Sequence, residues 1–89
     1  MLIPEYTNKF KKDLTLMQKR GYKIDRLKEI IRKLLNEEIP LPDKNRDHTL
    51  SGNMASYREC HIEPDWLLVY YYYDNVVVFA RTGTHSDIF

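Results

Sequence analysis

The sequence predicts an α+β fold: an N-terminal helical hairpin packed on a small antiparallel β-sheet, with a short C-terminal tail. Apolar residues recur at three- and four-residue spacing through the first part of the chain, which is the period of a helix with one buried face. The second part holds runs of β-branched and aromatic residues separated by short turns, the pattern of strands. At 89 residues and 43% apolar content there is material for one core, so 1–89 reads as a single domain.

Each element follows in order. Leu2-Ile3 suits a short edge strand ending at Pro4. From Asn8 to Arg20, Phe10, Leu14 and Met17 fall on one helical face, with Tyr6 one turn earlier; Thr7 or Asn8 can cap the start and Gly21 suits the left-handed end. Asp25 is the expected cap of a second helix carrying Ile24, Leu27, Ile30, Ile31, Leu34 and Leu35, stopped by Pro40 and Pro42. Three strands are expected next, at Met54 to Ile62, Trp66 to Tyr73 and Val76 to Arg81. Asp74-Asn75 tolerates the positive φ of a tight hairpin, which makes the last two antiparallel neighbours. In the run Tyr70 to Tyr73 alternation predicts two rings inward and two outward. Thr82-Gly83-Thr84 should end the sheet and release a tail, and the sheet face away from the helices is the place to seek a site.

Composition narrows the function classes. There is no apolar run of membrane-spanning length and no visible signal peptide, and the lone Cys60 excludes an internal disulfide. A cytoplasmic setting is expected. Charge is segregated: Asn8 to Arg46 carries twelve Lys/Arg against six Asp/Glu, while Asp47 to Phe89 carries two against six. A basic half favours an anionic partner such as nucleic acid, ribosomal RNA included. The more acidic half holds all three histidines, His48, His61 and His85, together with Trp66.

Histidine gives and takes protons near neutral pH. His61 closes the first strand of the meander and His85 follows its last, so the two can meet at one end of the sheet. Asp65, four residues beyond His61, is placed to orient or charge it. Arg81 can bind two phosphate oxygens at once, and Phe89 can stack on a base. These groups meet the needs of RNA cleavage by the RNA's own 2′-hydroxyl: a base at the 2′-oxygen, an acid at the departing 5′-oxygen and positive charge at the phosphate. Zinc binding by His48, His61, His85 and Asp65 competes for the same residues, but no His-x-x-x-His or Cys-x-x-Cys spacing occurs, and no cofactor is expected. Gly-x-Ser-x-Gly and phosphate-binding glycine loops are absent.

Three segments carry a resemblance: Asp47-His48-Thr49-Leu50-Ser51-Gly52, then Tyr57-Arg58-Glu59-Cys60-His61-Ile62-Glu63-Pro64-Asp65-Trp66, then Arg81-Thr82-Gly83-Thr84-His85-Ser86-Asp87-Ile88-Phe89. In order and spacing they resemble the YafQ branch of the RelE superfamily of bacterial type II toxin–antitoxin toxins. The resemblance implies a ribosome-dependent endonuclease that cuts mRNA in the ribosomal A site and contacts 16S rRNA. It also implies a cognate antitoxin that neutralises the toxin and joins it in repressing the operon, so that operator DNA is met only through that complex. The matching site positions are His48, His61, Asp65, Arg81, His85 and Phe89, with Trp66 adjoining them as a further RNA-binding candidate. By that analogy His85 is the general acid, His61 with Asp65 supports deprotonation, Arg81 stabilises the phosphate, and His48 and Phe89 position RNA. Two other functions fit parts of the pattern: a ParE-type toxin that binds DNA gyrase, against which the intact histidines argue, and a catalytically silent co-repressor.

Overall fold

A computed structural model describes all residues, Met1–Phe89. The strands are β1 (Ile3–Tyr6), β2 (His48–Thr49), β3 (Arg58–Glu63), β4 (Trp66–Tyr73) and β5 (Val76–Gly83); the helices are α1 (Asn8–Lys19), α2 (Ile24–Leu35) and the one-turn α3 (His85–Ile88). They form one five-stranded sheet in the order β1-β5-β4-β3-β2. No helix is long and apolar enough to cross a membrane.

The helical hairpin forms where the apolar spacing places it. Thr7 caps α1, its hydroxyl oxygen accepting from the Phe10 amide at 3.0 Å and its hydroxyl donating to the Ala80 carbonyl at 2.8 Å. Gly21 turns the chain with φ +83°, and the Tyr22 amide reaches back to the Met17 carbonyl. Helix α2 spans the expected residues, Ile24 to Leu35, but its ends are set differently. Its cap position is Lys23, with Asp25 inside the first turn where a carboxylate complements the helix dipole. The helix also ends before Pro40: Glu37 takes a left-handed conformation, φ 58°, and the Glu37 and Glu38 amides close onto the Leu34 and Lys33 carbonyls.

The sheet is mixed rather than wholly antiparallel, because β1 lies parallel to β5. Long sequence separation frees this pair from hairpin geometry. Pro4 sits inside β1 without loss: the Ile3 and Thr7 amides point at β5, so the missing N–H falls on the free edge. The first meander strand starts later than its β-prone composition suggests, since Gly52–Met54 winds into a short 3₁₀ turn. At the other end β5 runs on through Gly83, and the tail coils into α3. Of the four consecutive tyrosines only Tyr70 is buried; Tyr72 and Tyr73 are exposed where β4 outruns the helices.

Between helices and sheet lies a core of Phe10, Met17, Leu27, Ile30, Leu34, Leu41, Cys60, Trp66, Leu68, Tyr70, Val77 and Phe79. Alternation then assigns the neighbours of these strand residues to the opposite face. β3 pairs Glu59 with Val69 and His61 with Leu67, and β4 pairs Val69 with Arg81. The register slips by one residue at Ala80, between the Val69–Arg81 and Tyr70–Phe79 pairs. That bulge matters. It turns Arg81 from the face of Phe79 to the face of Glu59 and His61.

Candidate active site

Two histidines meet at one end of the sheet. The rings of His61, on β3, and His85, on α3, lie 5.6 Å apart in an edge-to-face arrangement. His61 is nine-tenths buried, whereas the His85 side chain is about half exposed.

Asp65, from the turn after β3, is paired with His85 and not with His61. It accepts from the His85 amide at 2.9 Å, and its same oxygen lies 2.5 Å from His85 Nδ1. Those bonds, the backbone one first, hold the Asp65 carboxyl below the usual carboxylate range, so it is ionised at neutral pH. The carboxylate only accepts, which places a hydrogen on His85 Nδ1 and leaves Nε2 as the exchanging atom.

The partner of His61 is a residue that the sequence reading did not single out. Glu59, 6% exposed, brings Oε1 within 3.3 Å of His61 Nε2 and 3.9 Å of His48 Nε2. Both rings use Nδ1 elsewhere, donating to the Pro64 carbonyl at 3.2 Å and to the Arg46 carbonyl at 2.6 Å respectively. Nε2 of each ring is therefore the atom that exchanges a proton, and its contact with the Glu59 carboxylate is a hydrogen bond only when the ring is protonated. A proton taken up there finds a carboxylate beside it. His48 stands opposite Glu59 in the β2–β3 pair, on the outermost strand. Asp47, next to it, is fastened by Tyr70 and Arg58.

Arg81 is anchored to α1. Its Nε donates to Asp13 at 2.7 Å and its Nη2 to the other Asp13 oxygen at 3.3 Å, with a further bond to the Asp87 carbonyl. The Asp13 bond raises the guanidinium's already high pKa, so its charge is permanent. Asp87 fastens α3 in turn. It closes a capping box with Thr84 and takes two bonds from Arg20 at 2.6 and 3.1 Å, which drive its carboxyl well below the usual range. Gly83 permits this fold-back, since a Cβ there would lie 3.0 Å from the Asp87 side chain.

Two expected site residues stand apart from this cluster. Trp66 is fully buried, donates to Thr82 and packs edge-on against Tyr22, so it has no face for a base and supports the core. Phe89 is 60% exposed just past α3, tied by its amide to the His85 carbonyl. Glu59 was findable from alternation, since Glu59-x-His61 on a strand puts both on one face. Asp87 was findable as the partner of Thr84 in a capping box, whereas Asp13 and Arg20 had no local signal, because the bonds of Arg20 to Asp87 and of Arg81 to Asp13 join residues 67 and 68 positions apart.

The fold also gathers donors that motif spacing does not reveal. Glu59, His61 and His85 each offer a ligand atom, all within 4.8 Å of one another. Imidazole and carboxylate together suit zinc or copper.

The family model for the YafQ toxin of bacterial type II toxin–antitoxin systems matches residues 2–89. The chain belongs to the YafQ family. It is 42% identical over 85 residues to the mRNA interferase toxin YafQ of Escherichia coli K12, covering 96% of this chain and 92% of that protein. The structure of E. coli YafQ in complex with DinJ superposes with a TM-score of 0.93 at 40% identity, over 100% of this chain and 99% of YafQ. A metal-bound toxin from Helicobacter pylori gives a TM-score of 0.91 at 40% identity over the whole of both chains. A copper-bound mutant toxin from the same organism gives 0.94 at 36%, again over both whole chains.

Proposed function

We propose that this YafQ-family toxin is a ribosome-dependent, cytoplasmic mRNA endonuclease that cuts A-site mRNA through attack by the RNA's 2′-hydroxyl. The observation that carries this reading is two adjacent imidazoles, each with its own carboxylate. His61 Nε2 removes the 2′-proton, and Glu59 stabilises the imidazolium that forms. The 2′-oxygen attacks phosphorus. As the bond from phosphorus to the 5′-oxygen breaks, His85 Nε2 delivers its proton to the leaving oxygen, with Asp65 holding the charged ring beforehand. Products are a 2′,3′-cyclic phosphate and a 5′-hydroxyl. Arg81 supplies charge to the phosphate oxygens, His48 and Phe89 position the RNA, and no metal enters these steps. The relatives' names, mRNA interferase toxin and DinJ–YafQ toxin–antitoxin complex, support the activity and a cognate antitoxin; in this reading that antitoxin neutralises the toxin and represses the operon with it.

His85→Ala tests the reading. The variant should lose at least about a hundredfold in single-turnover cleavage on programmed ribosomes while still co-sedimenting with them. Cleavage at the wild-type rate would remove His85 as the acid.

One observation favours a second reading of the same cluster, as an inhibitory metal site. The three donors within 4.8 Å and the metal-bound H. pylori toxins support it. An ion on Glu59, His61 and His85 would occupy the nitrogens that exchange protons. Micromolar Cu²⁺ or Zn²⁺ should then suppress cleavage and a chelator restore it; full activity with metal bound would exclude this.

A further inference from the structure

A cleft opens beside His61, away from His85, between the end of β3, α2 and the segment Lys44-Asn45-Arg46. Its volume is about 420 Å³, within the range of ligand pockets and suited to one nucleotide unit. A second hollow continues it along α2, sharing Arg26, Lys44 and Asn45. Three cations line the cleft. Arg26 is paired with Glu63 at 3.5 Å, whereas neither Lys44 nor Arg46 forms an ion pair.

At the floor lies Asn45, only 4% exposed. Its Nδ2 donates to the His61 carbonyl at 2.7 Å. Because that carbonyl only accepts, the amide's orientation is set and Oδ1 is left as an acceptor with no donor in the protein. Buried acceptors are rarely left unpaired. The hollow beside Lys11 and Lys28 on the helical hairpin is mostly apolar and holds no unpaired buried polar atom.

We propose that this cleft is an RNA subsite for the nucleotide flanking the cut linkage. The flanking phosphate lies against Lys44 and Arg46, and a base amine donates to Asn45 Oδ1. The inference rests on the RNA-cleaving reading above and extends it: the bond from Asn45 to the His61 backbone ties occupancy of the subsite to the position of the base.

The test uses a tri-ribonucleotide 2′-O-methylated throughout, which binds without being cut, titrated into ¹⁵N-labelled protein. The Asn45 side-chain amide and the Lys44 and Arg46 backbone amides should shift. A methylated dinucleotide, which lacks the flanking phosphate, should move only the histidine region. Lys44→Gln with Arg46→Gln should weaken trinucleotide binding about tenfold and leave dinucleotide binding unchanged. Shifts confined to His61 and His85 would overturn the subsite. So would loss of affinity for mRNA-free ribosomes by the double variant, which would assign these cations to ribosomal RNA. A wild-type protein that leaves ribosomal mRNA uncut, yet shows the Asn45 shift, would sink the nuclease reading and leave the subsite standing.

Discussion

His61 and His85 are neighbours held by opposite means. His61 belongs to an inner strand and is aimed from within the sheet: the β3–β4 ladder, the Pro64 carbonyl and the Glu59 carboxylate two residues away on the same strand. His85 belongs to a single helical turn and is aimed by side chains: Asp65 on its ring, Asp87 in the capping box, and Arg20 and Arg81 reaching in from α1 and β5. One position is a property of the sheet. The other depends on a few charged contacts at the surface, so it can be loosened without unfolding the molecule.

That contrast can be broken from either side. The largest effect is expected on the buried side: Glu59→Gln, which keeps shape and removes charge, should slow single-turnover cleavage by about a hundredfold with ribosome binding intact. A wild-type rate would mean that the carboxylate does not serve His61. Asp65→Asn should cost about tenfold, acting through the orientation and charge of His85; the ¹⁵N signals of that ring would change while those of His61 stay in place. Arg20→Ala should cost a few-fold by loosening α3, and Arg20→Lys should restore part of it, as expected for a surface pair. An Arg20→Ala variant with full activity would show that α3 needs no anchor.

The smallest effect concerns stability. Asp87 has its pKa lowered in the folded state, so its contribution is present above the ordinary carboxylate value of about 4 and is lost as the pH falls below it. Asp87→Asn should remove about 1 kcal/mol at pH 7, a figure reduced for the partial exposure of the pair. At pH 2, where the unfolded-state carboxyl is protonated but the folded one is still partly ionised, it should remove clearly less. Equal losses at both pH values, measured by denaturant unfolding, would rule out the ionic origin.

The same contrast explains what the sequence disclosed. Helices α1 and α2, strands β4 and β5 and the approach of His61 to His85 were legible, because period and turn chemistry act locally. The parallel pairing of β1 was not, since nothing near Ile3 reports on Val76. Asp65 was assigned to the nearer histidine in sequence, but the sheet carries His61 toward Glu59 and α3 brings His85 back over Asp65. Trp66 adjoins site residues along the chain yet faces the core, a consequence of strand alternation. The bulge at Ala80 was the hardest feature to foresee: one unpaired residue decides which face Arg81 serves.

β1 completes the outer side of β5, and α1 supplies the groups that grip Arg81 and α3. The earliest-made residues are thus the scaffold for the latest-made ones. The cluster of Glu59, His61 and His85 is complete only once Val76 to Ile88 has docked on a strand and a helix made long before it.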